Sequence, residues 1–476
     1  MNWTRKVESY CVLFFVAWLL GGVTLRGEGP LLVGGPSLPG QPQKEGQPFH
    51  WGGNTQAFNS TTMTLSYWTD MGNLGGQTNA AADGLVDAAF KSWQDVTTAN
   101  INFSKAGKLG QDVTSANAMT VLDAVRDCRT LPGPPAGGIA QPVSVVYDTD
   151  GSIFSALGED PNMVLGFASA LCPSSDGANN IYNRGGAVLN GKFIDGVDTA
   201  SNPEVTLDEF KSVFIHEFGH MIGLDHTQIN LQCLTGSSVC TTDDLAGVPI
   251  MFPVLISAKT VPTTDDVAGL SVLYPETVND PANLHVPFNT MGRIQGRVFF
   301  SDRQVQAQGL DVIARQVDDP TTPTIDESRR IAVSVVSGFL FTVDAGSAAV
   351  PSSLTEDPFG SHDPMLIGFY DIPGLPVDKG QKYTIEVEAI HNSEPIPFVR
   401  GSRVGPIGDL GFQFPLPSIL PAPPPCSVEF LGAVTATCDA TQKTQLTPSA
   451  GTPLTTGTDV ILLNTPPRFD AWEDGP

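Results

Sequence analysis

Residues 214–227 read FIHEFGHMIGLDHT, and three of the chain's seven histidines fall within them. No other stretch constrains the fold as much, because these polar groups sit on a helix whose two ends are written in the sequence. Thr206 can cap that helix, and Glu209 completes a capping box three residues on. Leu207, Phe210, Phe214, Phe218 and Met221 or Ile222 recur at three- and four-residue steps and predict one buried stripe. Gly223 predicts the stop, since glycine takes a left-handed backbone at no steric cost.

His216 and His220 are four residues apart, so their rings leave one face of the helix about one turn apart. Neutral imidazoles placed in this way can both bind zinc. Glu217 is poorly placed to join the same ligand set, but it can reach a metal-bound water. A turn at Gly223 brings His226 back to the same ion. Three histidine ligands leave a fourth position open, which marks a catalytic zinc rather than a closed structural one. A short H-E-x-x-H match arises by chance on many helices. The extended H-E-x-x-H-x-x-G-x-x-H pattern fixes five positions and is far more specific.

This pattern resembles that of the metzincins, a clan of zinc endopeptidases. The resemblance implies a methionine turn beneath the metal, and Met251 in VPIMFP, 25 residues after His226, fits it. Thr227 is similar to the serine that follows the third histidine in matrixins, and IMFP and DDVAGLSVLYP resemble the matrixin Met-turn and last helix. Phe252 and Pro253 stand where astacins and serralysins carry a zinc-binding tyrosine, so that fifth ligand is not expected. The resemblance covers roughly Phe49 to Pro275. It implies an α+β catalytic domain, a mixed twisted sheet with a long active-site helix, that hydrolyses peptide bonds of proteins or peptides. Zn2+ would be held by His216, His220 and His226. Glu217 would take the attacking water's proton and pass it to the leaving amine. Met251 would support the site without binding the metal, and residues from Pro253 to Thr263 would form a wall of the substrate pocket. Animal matrixins block their zinc with a propeptide cysteine; the stretch before Phe49 offers none outside the apolar leader, so latency by that route is not expected.

The leader itself reads as an export signal, residues 1–26. Arg5 and Lys6 precede CVLFFVAWLLGGV, an apolar run too short to span a bilayer comfortably. A secreted or cell-envelope location follows, with no stable membrane insertion after cleavage. The Gly/Pro-rich residues 27–48 read as linker. A net charge of −25 argues against nucleic acid or an anionic membrane as partner. Six cysteines remain beyond the signal, and in an exported chain an even number suggests disulfides rather than free buried thiols. Fifteen pairings are possible in principle. Cys233–Cys240 and Cys426–Cys438 are close in sequence, which leaves Cys128–Cys172.

Mixed helix and strand signals fill residues 49–277, the expected peptidase domain. MTLSYWT, QPVSVVYDTDGS and GGAVLNG have strand character. NAAADGLVDAAFKSWQDVT is helical, with Leu85, Ala88, Ala89 and Trp93 as its apolar face. In YDTDGS, Asp148 and Asp150 offer oxygen ligands to Ca2+, although Ile153 stands where an EF-hand loop has glycine; a plain turn is the alternative. Residues 288–415 alternate in β fashion. IQGRV, GLDVIA and YDIPGLP before YTIEVEA resemble a carboxypeptidase-regulatory-like domain, an all-β transthyretin-type sandwich. That resemblance implies a spacer or an adhesive module contacting extracellular surfaces or matrix. Residues 416–476 form a Pro/Thr-rich tail with short strands. Every expected catalytic element precedes Pro275, so the first domain is expected to fold and work alone. A non-catalytic secreted adhesin or scaffold with a degenerate protease domain is the rival reading, and the intact Glu217 argues against it. A zinc aminopeptidase usually takes a glutamate third ligand, which His226 disfavours.

Overall fold

Val143–Asp148 and Arg184–Asn190 are buried at every position, as strands covered on both faces must be. They pair in parallel, from Val143 opposite Gly185 to Asp148 opposite Asn190, within a six-stranded sheet. In chain order its strands are β1 (Phe58–Asn59), β2 (Thr64–Thr69), β3 (Asn102–Lys108), β4 (Val143–Asp148), β5 (Gly166–Leu171) and β6 (Arg184–Asn190). The sheet runs β1-β2-β4-β6-β5, with β3 also bonded to β2. Strands β2, β3, β4 and β6 are mutually parallel, whereas β5 runs antiparallel to β6 at the edge. This computed structural model describes residues 30, 33–34 and 47–463, except 131–137, 177–178, 200–203, 228, 231–232, 234–239, 253–254, 281, 283, 308–309, 339–341, 344–364 and 390–427. The expected signal, most of the linker and Cys426 lie outside these residues. The protein is mixed α/β with several sheets and few helices, and the described residues form no closed barrel.

The helices that matter to the site are α1 (Asn79–Gln94), α2 (Ala118–Arg126), α3 (Leu207–Met221), α4 (Thr242–Gly247) and α5 (Thr264–Leu273). Helix α3 packs on β5 and against α1, where Phe90 and Phe218 stack with ring centroids 4.1 Å apart. The single buried stripe expected for α3 is too modest. From Phe210 to Met221 every side chain except Lys211 is buried, and Leu207, in the first turn, is exposed. A helix enclosed by a sheet edge, a second helix and a returning loop has no solvent face in its middle. In α1 the apolar face also differs in detail. Ala88 is exposed and Phe90 is buried, because the ring points towards α3.

Among the described residues beyond Pro275, this unit is built from strands β7 (Gly292–Phe299), β8 (Leu310–Gln316), β9 (Ala332–Val336), β10 (Phe369–Leu375), β11 (Tyr383–Ala389), β12 (Val428–Phe430) and β13 (Val460–Ile461) and the short helix α6 (Glu327–Arg330). They form two sheets, β10-β7-β13 and β9-β8-β11-β12. Ile294, Val298, Ile372, Val312, Ile385 and Val387, drawn from both sheets, share one core. Strands β12 and β13, from the segment expected as a tail, each pair with an earlier strand of this unit. Cys128 is bonded to Cys172 and Cys233 to Cys240. Cys438 is also disulfide-bonded. Among the described residues no helix is long and apolar enough to cross a membrane.

Candidate metal centre

Both ends of α3 are fixed by side chains. At the start, the Thr206 hydroxyl accepts from Glu209 N at 3.2 Å, and the Glu209 carboxylate accepts from Thr206 N at 2.7 Å. At the other end, the last carbonyls lack partners within the helix. The Trp51 indole donates to Met221 O at 2.7 Å, and the Tyr274 hydroxyl donates to Ile222 O at 2.7 Å. Gly223 then turns the chain with φ +103°, and three residues later His226 faces back towards the helix.

The three histidine Nε2 atoms converge. They lie 3.1 Å apart between His220 and His216, 3.1 Å between His220 and His226, and 3.3 Å between His226 and His216. Hydrogen bonding between His216 and His220 does not account for this. His216 Nδ1 lies 2.8 Å from Ile250 O, and His220 Nδ1 lies 2.9 Å from Leu224 O. A carbonyl oxygen only accepts, so in both neutral rings Nδ1 carries the proton and Nε2 is a bare lone pair. All three rings are buried. Burial drives the His216 pKa well below the ordinary imidazole value, helped by nearby His220, and burial lowers that of His220 to about 4. Protonation is therefore a poor way to relieve these facing lone pairs, and a cation is a good one. Donors bound at about 2.0–2.1 Å to a tetrahedral ion sit roughly 3.3–3.4 Å apart, so the triad can hold a metal ion. Ile250 O and Leu224 O, which accept from these Nδ1–H groups, are outer-shell partners of the kind that metal-binding histidines usually have.

Glu217 is fully buried, and burial raises its pKa well above the usual carboxylate value despite a hydrogen bond from Ala168 N of β5. Its Oε1 atom has no hydrogen-bond partner among the described residues. An orphaned carboxylate oxygen in a dry site is costly, and it adjoins the ligand triad in the chain. Edge strand β5 thus holds one side of the carboxylate and leaves the other available.

Met251 lies under the helix. A Cβ built on Gly219 would come within 2.1 Å of Met251 Sδ and 3.0 Å of Trp93 Cζ2, so glycine at this position is what lets the sulfur approach the backbone. The turn is pinned from below by Asp266 of α5, whose carboxylate accepts from Ile250 N at 2.9 Å and Met251 N at 3.0 Å while also accepting from Thr263 N at 2.7 Å. Thr227 N donates to Met251 O at 3.1 Å. The turn at Met251 therefore holds His216 through Ile250 O and the chain after His226 through Met251 O. Sequence reading missed Gly219 and Asp266. Asp266 was visible only as an acidic residue after Thr263, and its bonds to the turn depend on tertiary contacts. The pocket beside His216 is lined by Val248, Ile250, Phe252, Leu255 and Lys259, within and just before the expected substrate wall. Gly219→Ala is expected to cost about 1–3 kcal/mol by overpacking. The check is the denaturant midpoint, and an unchanged midpoint would mean that Met251 does not pack there.

At YDTDGS, expected as a calcium site or a plain turn, the carboxylates are hydrogen-bonded within the turn. Asp148 Oδ1 accepts from Asp150 N at 3.3 Å and Gly151 N at 3.0 Å, and its Oδ2 accepts from Phe154 N at 2.9 Å. Asp150 Oδ1 accepts from Ser152 N at 3.0 Å. These bonds close the turn onto the one-turn helix Ser152–Ala156. The only cluster of three or more metal-ligating side chains among the described residues is the histidine triad. No protein-family model matches the chain, and no curated protein matches it.

Proposed function

We propose that this protein is a secreted zinc-dependent endopeptidase of metzincin type, similar to the matrixins, with a transthyretin-like β-sandwich following the peptidase domain. The carrying observation is the convergence of three buried histidine Nε2 atoms at 3.1–3.3 Å, two of them fixed as bare lone pairs, next to a buried carboxylate with one unpartnered oxygen. Imidazole donors suit zinc and other first-row transition metals rather than calcium or magnesium, and zinc is the reading the donor set and spacing favour. His216, His220 and His226 hold the ion. When bound, it supplies Lewis acidity to a water and to the carbonyl oxygen of the scissile bond. Glu217 accepts the water's proton at its carboxylate during attack and delivers it to the leaving amine nitrogen. Burial suits Glu217 to this work, because a raised pKa makes it a stronger base than an exposed carboxylate. Two disulfides in the first unit agree with an oxidising compartment.

The adhesin reading needs a degenerate site, and no member of this set is missing. Digestion of casein, with and without a zinc chelator, separates the two. Cleavage that the chelator abolishes is expected; an intact substrate in both arms, with zinc bound, would favour the adhesin.

A further inference from the structure

We propose that Arg315, on β8 of the second unit, is a positioning residue for the third metal ligand and acts through Asn230; the proposal rests on the metal-centre reading above. Directly beyond His226 the chain docks on the second unit. Ile229 is fully buried, and its apolar neighbours are Ile313 of β8 and Ala332 of β9. Asn230 is buried with φ +61°, a left-handed backbone that a non-glycine residue adopts only when its surroundings require it.

The side chain of Asn230 supplies that requirement. Its Nδ2 donates to Asp244 O of α4 at 3.0 Å and to Arg329 O of α6 at 2.8 Å. Its Oδ1 accepts from Arg315 Nη1 at 2.9 Å. Arg315 is itself buried and held in place: its Nε donates to Glu386 Oε2 at 2.7 Å, and Lys443 Nζ meets Glu386 Oε1 at 2.8 Å. Thr227, directly after the ligand, lies with its hydroxyl 3.4 Å from Ser334 Oγ of β9.

The other end of the same loop docks on the second unit too. Asp243 accepts from Arg330 Nε at 2.5 Å and from Asp326 N at 3.0 Å. A Cβ on Gly247 would come within 1.8 Å of Arg329 O, so α4 and α6 are in direct backbone contact. Thr227, Ile229, Asn230, Asp243 and Gly247, which lie between His226 and Met251 in the chain, therefore all meet the second unit. The second unit is part of the metal centre's support, in place of the removable spacer expected from the sequence.

The test compares zinc affinity, by competition with a chromophoric chelator, and the visible spectrum of the cobalt-substituted full chain. Arg315→Ala and Asn230→Gly are each expected to weaken zinc binding, by less than the roughly 10–100-fold that follows loss of a partner bonded directly to a ligand, and to shift the cobalt bands. Glycine keeps the left-handed backbone of residue 230 and removes only the side-chain bonds, so this variant decides the matter even if Arg315→Ala fails to fold. Tyr383→Phe loses a hydrogen bond to Pro376 O inside the second unit and serves as the control. It is expected to lower thermal stability while leaving both metal readouts unchanged. Wild-type affinity and spectrum in Arg315→Ala and Asn230→Gly would overturn the proposal. Because the readout is metal binding, a wild type that holds zinc yet cleaves nothing would sink the peptidase reading and leave this one standing.

Discussion

Glu217→Gln is expected to lower kcat by about 10²–10⁴-fold while zinc content stays at that of the wild type. The amide keeps the shape of the side chain and can still accept from Ala168 N, so β5 and α3 stay packed. What it loses is the ability to take a proton. The unpartnered Oε1 of Glu217 makes this substitution informative, since no structural bond is broken at that atom among the described residues. Turnover close to wild type would show that another group is the base. Loss of the metal would show that Glu217 belongs to the ligand set.

His226→Ala is expected to have the largest effect on metal binding. It removes one of three protein ligands, so its cost should exceed the roughly 10–100-fold that follows loss of an outer-shell partner. The same substitution leaves His216 and His220 with their Nδ1 protons still held by Ile250 O and Leu224 O, so two ligands remain oriented. Metal content after exhaustive dialysis checks this. Retention of zinc at wild-type affinity would mean that a third protein ligand lies elsewhere.

The first two ligands and the helix carrying them are legible because their spacing and caps are local. A capping box and a four-residue repeat need no knowledge of the rest of the chain. His226 is harder, since only the positive-φ glycine between it and the helix suggests a return, and Met251 was found through resemblance to a family. Features that depend on distant chain were not legible. GFASAL, the strand that bonds Glu217, shows no alternation because both its faces are buried. Asp266 looks like an ordinary first-turn acid, yet its carboxylate also anchors the Met-turn. At the acidic turn the spaced carboxylates read as a cation site or as a plain turn, and the N–H groups that meet Asp148 come from the turn itself. The second unit's strands were visible by alternation, but nothing local shows that Ile313 and Arg315 face the third-ligand loop.

A zinc titration tests the catalytic centre most directly. Protein stripped by chelator and dialysis is mixed with increasing zinc, and hydrolysis of a peptide substrate is followed at each ratio. Activity should rise from near zero and reach its plateau at one zinc per chain. Activity that is already full in the stripped protein, or that never appears although one zinc binds per chain, would contradict a catalytic zinc at His216, His220 and His226.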